Sequence, residues 1–152
     1  FTCCGPKELW PSNELVSKCK QIAEESGAVI NLTEDPMEAS KDADALYTDV
    51  WVSMGEDASV WEERIKLLQK YQINKNIMNN AKENAIFLHC LPSFHDLKTT
   101  IGKEIYDKFG LKEMEVTDEV FTSNHSKVFD EAENRMHTIK AVMYATMSDR
   151  NE

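Results

Sequence analysis

The sequence predicts an α/β fold with a doubly wound, mostly parallel sheet, helices on both faces and a long C-terminal helix that closes the domain. Short apolar runs alternate with amphipathic segments along the chain, a pattern typical of parallel strands joined by helices. The 152 residues, of which 41% are hydrophobic, suffice for one domain with its own core. The expected architecture is therefore Rossmann-like, and ligands are expected beyond the carboxyl ends of the strands.

Strands and helices are assigned from the hydrophobic period and from the turn residues between segments. The predicted strands cover residues 1–5, 28–32, 45–50, 85–90 and 114–120. The predicted helices cover residues 10–27, a short segment from 36, then 59–72, 74–81, 100–110 and 131–147.

The first helix has clear signals at both ends. Ser12 is its expected N-cap, and Gly27 is its expected C-terminal stop. Four of its residues recur at helical spacing and are expected to face the core. They are Leu15, Cys19, Ile22 and Ala23.

Two later helices have acidic starts. Asp35 precedes Pro36, and proline suits the first position of a helix. Asp130 and Glu133 form a D-x-x-E capping box. The last helix is therefore expected to begin at about Glu131.

Charge and cysteine content limit the possible partners. The net charge of −10 argues against nucleic acid and anionic membranes, which both need a basic surface. No apolar run is long enough to cross a bilayer. The four cysteines include no C-x-x-C pair, which favours reduced thiols and a cytoplasmic location.

Polar clusters follow the predicted strands. They lie at Asp49–Gly55, His89–Asp96 and Thr117–Glu119. Because the carboxyl ends of parallel strands meet at one edge of a sheet, the three clusters are expected to converge on a ligand site.

The second cluster contains a thiol between two histidines. Cys90 could be buried filler, a zinc ligand or a catalytic group. His89 points to the opposite face of the strand, which weakens a Cys–His nucleophilic pair. Zinc needs about four ligands, and beyond His89, Cys90 and His95 no residue has suitable spacing, so no metal is expected. No G-x-G-x-x-G motif follows a strand, and no cofactor is expected.

Two further segments could bind charged groups. Asp49 offers a carboxylate for an ammonium group, while Ser53 and the backbone near Met54 and Gly55 offer donors for a carboxylate; the alternative is an ordinary surface loop. Arg135, in the second turn of the last helix, is either an anion contact or a solvated helix charge.

Four motifs together resemble one enzyme family. The stretches YTDVWVSMGE, FLHCLPSFHD, EVTDEVF and FDEAENRMHTIKAVM are similar, in order, to ornithine carbamoyltransferases. The resemblance covers the second, ornithine-binding domain of that family. The Ser-x-Arg-Thr motif of its carbamoyl-phosphate domain does not occur in these 152 residues. The resemblance therefore implies one ornithine-binding domain over 1–152, without the N-terminal domain.

The resemblance also implies roles for individual residues. Asp49 would bind the α-amino group of ornithine, and Ser53 and Met54 would hold the amino acid on a closing loop. Cys90 would lie beside the reacting δ-amine as proton acceptor and contact carbamoyl phosphate. This role needs a nearby positive charge that lowers its pKa, either Arg135 or the ammonium group of the bound substrate.

The remaining implied roles concern carbamoyl phosphate. The Leu91 carbonyl would hold its carbamoyl amide, and Arg135 would contact it across the domain cleft and stabilise the developing charge. His89 would have a supporting, orienting role.

The implied function is the ornithine-binding half of a transferase that makes L-citrulline and phosphate from L-ornithine and carbamoyl phosphate. This chain alone would be an inactive monomer that needs an N-terminal domain for carbamoyl phosphate, and the parent enzyme a homotrimer. The alternative is a free-standing amino-acid-binding module without catalysis.

Overall fold

A computed structural model describes residues 1–53 and 55–148. In that part of the chain, strands alternate with helices, as predicted. The strands are β1 (Thr2–Cys4), β2 (Asn31–Thr33), β3 (Ala45–Thr48) and β4 (Ile86–His89). The helices are α1 (Asn13–Ser26), α2 (Pro36–Ser40), α3 (Trp61–Leu68), α4 (Lys75–Asn80), α5 (Thr100–Phe109), α6 (Asp118–Phe121) and α7 (Val128–Met147).

The strands pair in parallel, which confirms the predicted α/β class. β1 pairs with β2, and β3 pairs with β4, where Leu46 lies opposite Phe87. On the other side of β4, the backbone of Phe87 bonds to His125 and Lys127. β4 therefore runs between two neighbours, and its carboxyl end is held on both sides.

The caps of α1 are confirmed, but its predicted inward face is wrong in part. The Ser12 hydroxyl accepts a hydrogen bond from Leu15 N, and Gly27 ends the helix with a φ of 74°. Leu15 and Ile22 are 51% and 57% exposed, whereas Ala23 is buried. The helix turns its Val16–Cys19–Ala23 side toward the domain, about one residue away from the predicted face.

The start of α7 differs from the prediction. The helix begins at Val128, and no side chain caps it at Lys127. The Lys127 N–H donates to the Phe87 carbonyl, so β4 fixes the chain just before the first turn. Asp130 consequently lies inside that turn and not at the cap. No helix among the described residues has both the length and the apolarity needed to cross a membrane.

The predicted last strand is largely replaced by other structure. Val116 makes one parallel bridge with Ile73, and α6 then begins at Asp118. The N–H of Asp118 donates to the Glu113 carboxylate at 2.7 Å, and that bond helps to start the helix.

Two apolar clusters form the core. One surrounds β3 and β4 and consists of Leu46, Ile77, Met78, Ala85, Phe87, Val116, Val120, Phe121 and Val128. The other lies between the loop after β3 and helices α3 and α5, and consists of Trp51, Val52, Trp61, Phe94, Ile105 and Met114. The polar loops that follow β3 and β4 extend over this second cluster.

Candidate functional site

A cavity of about 630 Å³ lies at the carboxyl ends of β3 and β4. Asp49 and Ser53 line it from the loop after β3, and Cys90 and Leu91 line it from the turn after β4. Its apolar wall includes Trp61, Val52, Phe94, Ile101, Ile105 and Phe109. Four of the predicted site residues therefore meet in one cavity with a hydrophobic side and a polar rim.

Asp49 and Cys90 are in direct contact. The Cys90 thiol donates a hydrogen bond to Asp49 Oδ1 at 2.9 Å, and Val50 N donates to the same oxygen at 2.7 Å. Partial burial, followed by the hydrogen bond and negative charge of Asp49, raises the pKa of Cys90 to about 11. Cys90 is thus a protonated thiol at neutral pH in this chain.

The role expected for Cys90 requires its pKa to be lowered by a positive charge, either Arg135 or the ammonium group of the bound substrate. In the chain alone the shift has the opposite direction. The largest influences on the thiol are burial and Asp49, and both raise its pKa. Arg135 is not among the groups that shift the pKa of Cys90, and the effect of a bound ammonium group stays a prediction.

Tyr47 and Glu131 extend the polar group around Cys90. Partial burial, the Glu131 carboxylate and the Cys90 thiol raise the pKa of the Tyr47 phenol to about 12. Glu131, from the first turn of α7, also accepts a hydrogen bond from His89 N at 3.1 Å. The first turn of α7 is therefore tied to the end of β4.

Arg135 does not line the cavity. It lies four residues after Glu131, so the two side chains leave α7 on the same face. Glu131 on that face contacts the end of β4. Arg135 is exposed and makes no ion pair with a described residue.

Contacts of Glu56 stabilise the loop after β3. The Glu56 carboxylate accepts a hydrogen bond from Ser53 N at 2.7 Å and pairs with Arg64 at 3.1 Å. Gly55 has a φ of 101°, which side chains rarely allow. Ser53 is exposed at the cavity rim, and Met54 lies outside the described residues.

His89 lies behind the cavity and is buried. Its Nδ1 accepts a hydrogen bond from Leu91 N at 2.9 Å, and its Nε2 lies 3.1 Å from the Glu115 carboxylate. Leu91 has a φ of 53°, and its bond to Pro92 is cis. Both ring nitrogens of His89 have partners, which disfavours the alternative of a zinc ligand.

The third predicted cluster reaches the second through His95. Its Nδ1 lies 2.7 Å from Asp118 Oδ1, and its ring stacks on Phe121 at 3.6 Å. His95, Asp96 and Asp118 could together hold a metal ion. Asp96 already pairs with Lys98 at 3.0 Å, and His95 already pairs with Asp118. Each of the three side chains therefore has a partner within the protein. The first two clusters meet at the cavity, whereas the third contacts the second through His95 and does not line the cavity.

Sequence reasoning missed the role of Glu115, Tyr47 and Glu131. Glu115 stands between Met114 and Val116 in a stretch predicted to be a strand, where an acid is normally assigned to the solvent face. Met114, Glu115 and Val116 are each 0% exposed. The sequence offers one signal for Glu115, which is an acidic residue inside an apolar run. This signal indicates a buried hydrogen-bond partner only when that partner is already known.

Comparison with known proteins places the fold and cavity in a defined class. Residues 1–146 match the family model described as aspartate/ornithine carbamoyltransferase, Asp/Orn binding domain. The chain belongs to this family. The matched segment contains all the described cavity residues.

Individual relatives belong to the ornithine branch. The catabolic ornithine carbamoyltransferase of Treponema denticola is 67% identical over 97% of this chain and 44% of the relative. The ornithine carbamoyltransferase structure from Pyrococcus furiosus is 39% identical, with a TM-score of 0.76 over 94% of this chain and 40% of that one. The corresponding Gloeobacter violaceus structure gives 34% and 0.74. The chain thus spans less than half the length of these proteins.

Proposed function

We propose that this chain is the ornithine-binding domain of an ornithine carbamoyltransferase, which transfers the carbamoyl group of carbamoyl phosphate to L-ornithine. The observation that carries the proposal is the contact between Asp49 and Cys90 at the rim of the cavity. The carboxylate can pair with an ammonium group, and the thiol can exchange a proton beside it. The family match and the names of the relatives support this substrate class.

Ornithine would bind with the α-ammonium and α-carboxylate groups of its amino-acid end at the rim of the cavity. Asp49 pairs with the α-ammonium group, and Ser53 and Met54 hold the amino acid at the rim. The aliphatic chain lies against the apolar wall, which includes Trp61. Glu56 now occupies the Ser53 N–H, so a substrate carboxylate that used this donor would have to displace it.

The δ-ammonium group must lose a proton before its nitrogen can attack the carbamoyl carbon. A cationic substrate beside Asp49 offsets the negative charge that now raises the pKa of Cys90, and so favours the thiolate. The thiolate accepts the proton, and the neutral amine attacks as phosphate leaves. Leu91 holds the carbamoyl amide through its carbonyl group, and Arg135 stabilises the developing charge.

Carbamoyl phosphate would be bound mainly by a separate domain like the one that the relatives carry. The 152 residues alone would bind ornithine as a monomer and make no citrulline. The complete enzyme would be a homotrimer in the cytoplasm. A module that binds ornithine but stays inactive in every assembly is the competing function, and the experiment below separates the two.

Ornithine binding by the 152-residue chain, measured by titration calorimetry, tests the first half of the proposal. Asp49→Asn should weaken it by about 2 kcal/mol, roughly 30-fold, which is the lower end for a charge pair because Asp49 is exposed at the cavity rim. The control is Asp44→Asn, which removes a carboxylate that pairs with Lys82 near the start of β3. Equal ornithine affinity in all three proteins would contradict the assignment.

A chimaera tests the second half. This chain replaces the matching segment of the Treponema denticola enzyme, which is 67% identical to it. We expect citrulline from the chimaera and none from the chain alone. A folded chimaera that binds ornithine without forming citrulline would favour the non-catalytic module.

A further inference from the structure

We propose that Glu115 is a positioning residue that fixes the cavity wall at Cys90 and Leu91 by acting through His89. The proposal deepens the function given above and rests on it for its kinetic consequence. Glu115 is 0% exposed, although a buried carboxylate is costly unless donors surround it. Its location in the fold therefore needs a reason.

Within residues 1–53 and 55–148, the side-chain and backbone donors to Glu115 come from one short segment. Its Oε1 accepts from Phe94 N at 2.7 Å, from Ser93 Oγ at 2.9 Å and from His89 Nε2 at 3.1 Å. Its Oε2 has no partner among the described residues. One oxygen thus accepts hydrogen bonds from both ends of the turn after β4, and these bonds stabilise the turn.

The tautomer of His89 follows from its two contacts. Leu91 N can only donate, so Nδ1 accepts and the ring proton of the neutral imidazole lies on Nε2, directed at Glu115. Carboxylates orient histidines in this way at metal sites, where they hold the ring and choose its tautomer. Here the oriented histidine does not bind a metal. It accepts the hydrogen bond from the backbone N–H of Leu91.

Leu91 needs this support because of its backbone conformation. Its φ of 53° lies in the left-handed region, which is unfavourable for a residue with a branched side chain. The hydrogen bond from its N–H to His89 helps to hold that conformation. Leu91 follows Cys90 directly, and both line the cavity. A small rotation at Leu91 would therefore move the part of the cavity wall that carries Cys90.

A purely structural role is the competing explanation, and three variants separate the two. Glu115→Gln keeps the shape but exchanges a charge-assisted hydrogen bond for a weaker neutral one. Glu115→Asp keeps the charge but is one methylene too short to reach all three donors. The matched control is Glu113→Gln, two residues earlier, where the carboxylate accepts from Asp118 N and does not contact the turn.

The first measurements use the 152-residue chain and need no catalysis. Nitrogen-15 spectra should show the Nε2–H tautomer of His89 in the native chain. Both Glu115 variants should perturb that signal and let the Leu91 amide exchange about 10-fold faster, as expected for loss of a charge-assisted bond. Ornithine affinity should stay unchanged, because Asp49 is not part of this chain of bonds.

The kinetic measurement uses the chimaera. Glu115→Gln should lower kcat by about 10-fold to 100-fold, the scale of a small misplacement of reacting groups, and leave KM for ornithine at the native value. Glu113→Gln should keep native kcat.

The proposal is overturned if the Leu91 amide and the His89 tautomer are the same in native chain and both Glu115 variants. It is also overturned if Glu113→Gln produces the same changes, or if kcat stays native while stability alone falls. A native chain that fails to bind ornithine would contradict the proposed function instead, and the spectra would still decide the role of Glu115.

Discussion

Removing the charge of Asp49 should make Cys90 more reactive, although no atom of Cys90 changes. The pKa of this thiol is raised from 9.0 to about 11, by burial first and then by the hydrogen bond and charge of Asp49. Two pH units correspond to a thiolate fraction about 100-fold smaller at pH 8, and the thiolate is the form that alkylating reagents attack. An exposed cysteine is therefore expected to react slowly.

Asp49→Asn keeps an oxygen near the thiol but removes the negative charge. Burial is the largest cause of the shift and persists, so only part of it should be lost. If the pKa of Cys90 falls by about one unit, alkylation of Cys90 at pH 8 should be about 10-fold faster. In both proteins the rate should rise with pH until it passes the folded-state pKa.

The assay is a time course with iodoacetamide, followed by mass spectrometry of the peptide that contains each cysteine. Cys19, on α1, provides an internal reference within the same sample. Asp44→Asn is the matched control, because it removes a carboxylate near the opposite end of β3. An unchanged Cys90 rate in Asp49→Asn, or an equal increase in Asp44→Asn, would refute the reasoning.

Two further predictions concern stability. Gly102→Ala should lower the free energy of unfolding by about 1–3 kcal/mol despite the better helix propensity of alanine, since its Cβ would lie 2.7 Å from the Asp96 carbonyl oxygen. Gly5→Ala, with nothing within 4 Å, is the control, and urea unfolding that ranks the two in the reverse order would contradict this. Asp35→Ala should cost about 1 kcal/mol, because the carboxylate accepts two N–H groups at the start of α2; an unchanged urea midpoint would be the contrary result.

The sequence predicted those features that depend on local chemistry. The Ser12 cap, the Gly27 stop and the helix that begins at Pro36 each rest on neighbouring residues, and each is confirmed. The parallel direction of the paired strands followed from the alternation of apolar runs with helices. The convergence of Asp49 with Cys90 then followed from the rule for strand ends.

The sequence could not predict features that depend on contacts between distant segments. α7 begins at Val128 because Lys127 bonds to β4, about forty residues earlier, and a capping box near Asp130 cannot reveal that. Leu15 recurs at helical spacing but is exposed, since periodicity gives the apolar stripe only to within about one residue. The hydrogen bond from the Cys90 thiol to Asp49, 41 positions away, is a further case, because the rule for strand ends predicts a shared edge and not a contact between particular atoms.

The alternation of side chains along β4 explains why one turn needs two carboxylates. His89 and Cys90 are neighbours, so they leave the strand on opposite faces. Asp49 holds Cys90 on the cavity side at 2.9 Å, and Glu115 holds His89 on the buried side at 3.1 Å. In the proposed function the exposed carboxylate exchanges its thiol donor for the ammonium group of ornithine, whereas the buried carboxylate has no access to solvent. The proposed exchange at Asp49 and the proposed fixation at Glu115 would therefore act on opposite faces of the same turn.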